Sequence, residues 1–256
     1  MKLNYKTMGQ GEPLLILHGL FGMLDNWQTL GRQFAEHYLV YLLDQRNHGR
    51  SPHAPSMSYP EMAEDLHEFM TANWIHQAGV LGHSMGGKTA MQLALQYPDT
   101  VSRLIVVDMA PRAYPGGHEF IFEALQALDL SAIADRQEAD AQLAGRIPQR
   151  SIRQFLLKNL TRSNAEGYRW KMNLPVIYED YEQVLAPLQS DRPFDGPALF
   201  IRGGKSGYLR DEDWPEVLAL FPNARLETVA DAGHWVHAEA PDELFRLVHA
   251  FLSEGS

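Results

Sequence analysis

Val80-Leu81-Gly82-His83-Ser84-Met85-Gly86-Gly87-Lys88 carries a short apolar run into a glycine-flanked serine and on into a helical pattern that reaches Tyr97. Gly82 to Gly86 fits G-x-S-x-G, and the strand before it with the helix after it is the context in which that motif has a mechanical meaning. A turn this sharp brings backbone against backbone at positions 82 and 86. Side chains there would collide with their neighbours, and the serine hydroxyl is lifted out of the sheet. The following helix then aims its N-terminus, with its unpaired N–H groups, at the place where negative charge would develop.

Outward from this stretch the chain alternates two patterns. Leu14–Leu17, Leu39–Leu43, Val80–Leu81, Leu104–Val107, Ala198–Ile201 and Leu226–Val229 read as strands, near-continuously apolar as in a parallel sheet covered on both faces. Asp25–Glu36, Tyr59–Asn73, Ser84–Tyr97, Trp214–Leu220 and Pro241–Leu252 read as helices. The last carries Leu244, Leu247, Val248 and Phe251 at three- and four-residue steps behind a proline at its first position. This rhythm predicts an α/β fold with a mostly parallel, doubly wound sheet. It stops between about 112 and 192. That stretch shows helical patterns at Phe120–Leu130 and Ser151–Leu160 and no evident strand, so the expectation is one domain over 1–256 with a helical cap inserted between two strands of the sheet.

Composition narrows the chemistry. With 256 residues and 45% hydrophobic content the chain can bury a full core. It has no cysteine, which excludes disulfides, thiolate catalysis and cysteine-held zinc or iron–sulfur centres. A net charge of −10 argues against nucleic acid as a partner. The histidines and carboxylates show no metal-ligand spacing, so no metal or cofactor is expected. The first residues lack the apolar core of a signal peptide, and no apolar run approaches the ~18 residues of a membrane span. The expectation is a cytoplasmic protein without stable membrane insertion, its oligomeric state left open.

Two further segments belong with Ser84. His18-Gly19-Leu20-Phe21-Gly22 follows the Leu14–Leu17 strand. Acyl transfer needs two preorganised N–H donors for its tetrahedral intermediates, and the backbone amides of Met85 and Leu20 are the candidates. His18 reads as an anchor of that loop. Ala232-Gly233-His234-Trp235 lies after the last strand and before the last helix, and His234 is the candidate base, with His237 as its weaker competitor. Asp44-Gln45-Arg46-Asn47-His48-Gly49-Arg50-Ser51 reads as scaffold, with Asp44 and Arg46 tying the loop to the sheet.

Taken together these segments resemble the α/β-hydrolases, and among them the small bacterial YbfF-like serine esterases, over nearly the whole chain. The loop at 44–51 is similar to the family's D-x-R-G-x-G-x-S, with Asn47 where glycine is common. The resemblance implies a Ser…His order that Ser84 and His234 satisfy. It also implies serine chemistry, since dehalogenase and epoxide-hydrolase members carry aspartate at position 84. The triad acid is where the sequence departs from the common pattern, because the usual position after the Ala198–Ile201 strand holds Ser206. Asp108, ending the neighbouring strand, is the favoured alternative; Asp211 and Asp213 remain open, as does the absence of any carboxylate.

These readings imply a serine carboxylesterase or thioesterase that cleaves small to medium acyl esters or thioesters through an acyl-enzyme. Lactonase, cofactor-free perhydrolase and carbon–carbon bond hydrolase activities would use the same residues, and a ligand-binding protein on a retained scaffold is the reading from another class. Seven basic residues between Arg146 and Lys171 face a single acid, Glu166, so Arg150 and Arg153 are candidates for contacting an anionic substrate such as an acyl-CoA. A solvated, charge-balancing face is the plainer reading. Ile152, Phe155, Leu156 and Leu160 form an inward stripe, while Phe21, Tyr114, Phe120, Phe122, Trp170 and Trp235 are candidates for an acyl pocket.

Overall fold

Alternate residues of the central strands face two different helical layers, and this explains why the strands read as continuous apolar runs. The computed structural model describes residues 1–163 and 167–254. In chain order the main sheet is built from β1 (Tyr5–Met8), β2 (Pro13–Leu17), β3 (Leu39–Leu43), β4 (Ala78–His83), β5 (Val101–Val107), β8 (Ala198–Gly203) and β9 (Ala224–Val229). Their spatial order is β1-β3-β2-β4-β5-β8-β9, and only β1 runs antiparallel. Leu15, Leu17, Val80, Leu104 and Val106 pack on one side, where α2 (Tyr59–Ala72) and α3 (Met85–Gln96) lie against each other. Leu14, Ile16, Leu81, Ile105 and Val107 pack on the other, under α1 (Gln28–Phe34) and α11 (Pro241–Leu252). The doubly wound α/β expectation therefore holds.

Between β5 and β8 the chain leaves the sheet for an insertion. It contains α4 (Glu119–Gln126), α5 (Arg136–Ala144), α6 (Arg150–Leu157), the antiparallel pair β6 (Leu160–Ser163) and β7 (Gly167–Trp170), α7 (Leu174–Glu179) and α8 (Tyr181–Leu185). The pair corrects the expectation of a stretch without strands. Its members are four residues long and mostly polar, too short to show alternation. Phe120–Leu130 contracts to α4, and Ser151–Leu160 to α6 followed by the start of β6. Asp25–Glu36 divides into a 3-10 turn at Leu24–Trp27 and α1. The edge strand β1 escaped the sequence reading because Tyr5-Lys6-Thr7-Met8 is largely exposed and lacks an apolar run. After β8 come α9 (Trp214–Leu220), and after β9 the single turn α10 (Val236–Glu239).

The strand order places the site. From β2 the chain moves outward to β3, then returns to β4 on the other side of β2, so connections diverge between β2 and β4. Crevices at the carboxyl ends of strands where the order reverses are where such sheets bind ligands. The loop carrying Leu20 leaves β2, and the turn carrying Ser84 leaves β4, so both border this crevice. The 44–51 loop braces it. Asp44 accepts hydrogen bonds from the Leu24 amide (2.7 Å), the Arg50 amide (2.9 Å) and Asn4 Nδ2 (2.7 Å). Arg46 grips Asp65 on α2 through Nε (2.6 Å) and Nη2 (3.1 Å). Asn47 takes the left-handed conformation (φ 62°) that a glycine usually occupies, which asparagine tolerates better than most residues.

Candidate active site

At the end of β4 the backbone of Ser84 is forced to φ 55° and ψ −123°, a sparsely populated region for a non-glycine residue. The flanking glycines make the turn possible. A Cβ on Gly86 would sit 2.5 Å from the His18 carbonyl oxygen, and one on Gly82 would run into the Gly86 carbonyl. The Ser84 carbonyl accepts from the amides of Gly87 (2.8 Å) and Lys88 (3.2 Å), starting α3.

Three side chains from three strand ends meet here. His234 Nε2 lies 3.0 Å from Ser84 Oγ, and His234 Nδ1 lies 2.7 Å from Asp108 Oδ2. Asp108 is fully buried just past β5, held at φ 53°. Its Oδ1 accepts the Gly203 amide (3.0 Å) and its Oδ2 also accepts the Ser206 hydroxyl. The serine at the usual acid position thus bonds to a carboxylate one strand away. Asp211 and Asp213 are occupied elsewhere: Asp211 pairs with Arg202 at 2.6 Å, and Asp213 with Arg112 at 2.8 Å and Arg210 at 3.2 Å. Two contacts unforeseen from sequence steady His234. The Tyr208 ring stacks on its imidazole (centroids 3.7 Å, 17°), and His83 Nε2 donates to its carbonyl at 2.8 Å.

The loop after β2 shows which amides remain for an oxyanion. Phe21 N–H donates to His48 Nε2 (3.2 Å) and Gly22 N–H to the Gly19 carbonyl (2.9 Å). The Gly19 carbonyl also receives His18 Nδ1–H at 2.8 Å. Because His18 Nε2 accepts the Gln45 amide (3.0 Å), its proton is fixed on Nδ1. A trans peptide whose carbonyl is held by two donors aims its own N–H the opposite way, and here that N–H belongs to Leu20. His18 is therefore the loop anchor foreseen, held neutral by burial that pulls its pKa down to about 4. His237 stacks on Trp27 (4.7 Å, 18°) with its pKa likewise near 4 by burial, and the histidine hydrogen-bonded to Ser84 Oγ is His234 instead.

Two cavities meet at Ser84. One, about 290 Å³, is lined by Trp27, Ile152, Phe155, Leu156, His234 and Trp235 among others; the second, about 360 Å³, by Tyr59, Met85, Met109, Tyr114, Val184 and Leu185. Leu20, Ser84, His118 and Tyr208 border both. Of the expected pocket residues, Phe21, Phe120 and Trp235 line the first and Tyr114 the second, while Phe122 is wholly buried behind. Trp170, Arg150 and Arg153 line neither. Arg153 turns inward, ion-paired to Asp140 (2.9 Å) and donating to the carbonyls of Ile147 and Pro148 (2.9 Å each), so it holds the α5–α6 corner together. Arg150 is exposed at the start of α6. Glu166, the single acid of that face, lies outside the described residues. Among the described residues no cluster of histidine and carboxylate side chains is arranged to hold a metal ion.

Residues 12–241 match the family profile described as the alpha/beta hydrolase fold. The chain belongs to the α/β-hydrolase family. It is 38% identical to esterase YbfF of Escherichia coli K12 over 99% of this chain and 100% of that protein. It is 37% identical to the sn-1-specific diacylglycerol lipase ABHD11 of Danio rerio, over 95% of this chain and 79% of that one. A solved marine microorganism esterase superposes with a TM-score of 0.96 at 42% identity, covering 98% of this α/β-hydrolase and 99% of that chain.

Proposed function

We propose that this α/β-hydrolase is a serine carboxylesterase that also accepts thioesters, acting on small to medium acyl substrates. Ester hydrolysis is the activity named for its relatives of similar length, an esterase in Escherichia coli and a marine esterase among them. What supports the mechanism is the unbroken chain of contacts from Ser84 Oγ through His234 to Asp108. In this reading His234 Nε2 takes the Ser84 proton as Oγ bonds to the acyl carbon, and the Leu20 and Met85 amides receive the oxyanion. The intermediate collapses, the bond to the leaving oxygen or sulfur breaks, and His234 returns the proton to it. Water then repeats the sequence on the acyl-enzyme, regenerating Ser84. Asp108 keeps the His234 proton on Nδ1 and stabilises the imidazolium.

The two cavities receive different parts of the substrate in this proposal. His234 must reach the leaving atom, so the cavity it lines with Trp235 takes the leaving group; the cavity lined by Met85, Val184 and Leu185 takes the acyl chain. Each is near the lower end of the usual ~300–1,000 Å³ for ligand sites, which suits small and medium groups. Residues 1–256 act as one domain, with about 112–192 as a cap over both cavities. No helix among the described residues is long and apolar enough to cross a membrane, and a cytoplasmic location completes the proposal.

The test is the initial rate on p-nitrophenyl butyrate for the native chain and Ser84→Ala. Loss of turnover by orders of magnitude is expected; turnover that survives the substitution removes Ser84 as nucleophile. Leu185→Trp should depress octanoate relative to acetate esters, whereas Ile152→Trp should discriminate by alcohol. The opposite pattern reverses the cavity assignment.

A further inference from the structure

Phe21 is an unusual residue on which to hang an oxyanion loop. It is a buried aromatic in the left-handed region (φ 59°), with no glycine's freedom to be there. Such a conformation is disfavoured for any residue with a Cβ and persists only where the surroundings over-determine it. Three contacts do so. His48 Nε2 accepts its amide at 3.2 Å, Phe122 packs against its ring at 5.1 Å, and its carbonyl accepts a 2.7 Å hydrogen bond from Asn159 Nδ2.

Asn159 comes from the insertion, 138 residues later, between α6 and β6. It is fully buried, its amide donates to the Leu156 carbonyl (3.0 Å), and its carbonyl accepts from the Lys171 amide (2.8 Å). Among the described residues its Oδ1 is buried with no hydrogen-bond partner, so the hydrogen bonding of this buried side chain rests on its Nδ2. The direct product of that bond is the fixed position of the residue following Leu20.

We propose that Asn159 is a positioning residue through which the insertion holds the oxyanion hole in its working shape; the proposal rests on the Leu20 amide serving that hole, as in the function proposed above. The Gly19 carbonyl fixes one side of Leu20, and the Phe21 carbonyl, pinned by Asn159, fixes the other. Without the Nδ2 donor the Phe21 carbonyl is buried unpaired, Phe21 relaxes from its left-handed conformation, and the Leu20 N–H turns from the cleft. Substrate still binds between the two cavities, but the tetrahedral intermediate loses a donor. The insertion thus does more than cover the site: part of the rate depends on its being seated.

Asn159→Leu keeps the size and removes the donor; Asn159→Ala removes the donor with the rest of the side chain. Both should lower kcat about 10- to 100-fold with KM within about twofold, less than or equal to the loss for deleting a whole oxyanion donor. Affinity for a trifluoromethyl ketone, whose hemiketal adduct carries the oxyanion, should fall by the same factor, while affinity for butyrate stays. Arg153→Met serves as reference for loosening the insertion without touching the loop, and should lower Tm while keeping kcat. If one Asn159 variant fails to fold, the other is read. A folded variant with kcat within twofold of native, or with reduced kcat and unchanged trifluoromethyl ketone affinity, overturns the proposal. If native protein shows no Ser84-dependent ester turnover, the functional reading itself has failed and the inference falls with it; intact turnover with indifferent Asn159 variants removes the inference alone.

Discussion

Replacing Asp108 by asparagine should disable His234 through its tautomer, and the structure dictates which way the new amide turns. Oδ1 of Asp108 accepts the Gly203 amide at 3.0 Å, and a backbone N–H inside a sheet cannot turn away. In Asp108→Asn the amide oxygen must therefore occupy that side. Its NH2 then occupies the position of Oδ2, facing His234 Nδ1 across 2.7 Å. The Ser206 hydroxyl there adapts by rotating from donor to acceptor. His234 Nδ1 has no such freedom: it must give up its proton and accept, leaving the proton on Nε2, 3.0 Å from Ser84 Oγ, where it cannot receive another. The expected loss in kcat is on the order of 10⁴-fold, about 5 kcal/mol, the scale of the equivalent substitution in other triads. Asparagine accepts left-handed backbone well, so φ 53° at this position should not unfold the variant. Steady-state rates on p-nitrophenyl butyrate, with circular dichroism melts on the same samples, make the measurement. Asp211→Asn and Asp213→Asn, whose carboxylates serve arginine pairs, should keep kcat within a few-fold. A loss under tenfold for Asp108→Asn in a folded protein, or a larger loss at Asp213, would refute this reasoning.

Other outcomes follow from the same contacts. His18, His48 and His237 are held neutral by burial, their pKa values pulled from 6.5 to about 4, 3 and 4, and burial lowers His83 as well. The unfolded chain binds those protons first as pH falls, so stability should be intact above pH 6.5 and drain away between about 6.5 and 3. For His18 alone the loss is on the order of 3 kcal/mol, readable as a urea midpoint that drops with pH and drops less in His237→Phe. Lys88, fully buried, donates to the carbonyls of Arg112 (2.8 Å) and Ala186 (2.6 Å) at the two ends of the insertion, and burial brings its pKa down to about 7. Its neutral amine still has both hydrogens needed, while the unfolded chain protonates near 10.5. Stability should thus rise with pH from 7 towards 10 in the native chain, and a Lys88→Met protein should lack that slope in the same urea series. Arg150→Glu should leave ester turnover unchanged at low salt, whereas Arg153→Met should lower Tm; a fall in acyl-CoA hydrolysis confined to Arg150→Glu would support the anionic-substrate reading.

What could be read in the sequence was what local sterics enforce. Gly82 and Gly86 are glycines because the backbone of the turn leaves no room for a Cβ, and that constraint is visible within five residues. The apolar β2, β4 and β5 are buried on both faces, so their runs needed no periodicity to be recognised. Asp108 is favoured over Asp211 and Asp213 in the sequence because it ends a strand expected beside that of Ser84; β5 does pair with β4, but which strand ends are neighbours is fixed by the fold and not by any local residue pattern. Arg153 looked like part of a basic face because its partner, Asp140, sits on the preceding helix outside the basic stretch. Asn159 and Tyr208 carry no local signal at all. Each is an ordinary polar or aromatic residue whose contacts arise from what the fold brings against it, the Phe21 carbonyl in one case and the His234 imidazole in the other.

The central claim is that Ser84, activated by His234, is the nucleophile, and covalent capture tests it most directly. Treatment with a fluorophosphonate followed by peptide mapping should place one adduct on the peptide containing Ser84. Ser84→Ala should carry no adduct, and labelling in His234→Ala should slow by orders of magnitude. An adduct on another serine, or ester turnover that persists without labelling at Ser84, would contradict the account.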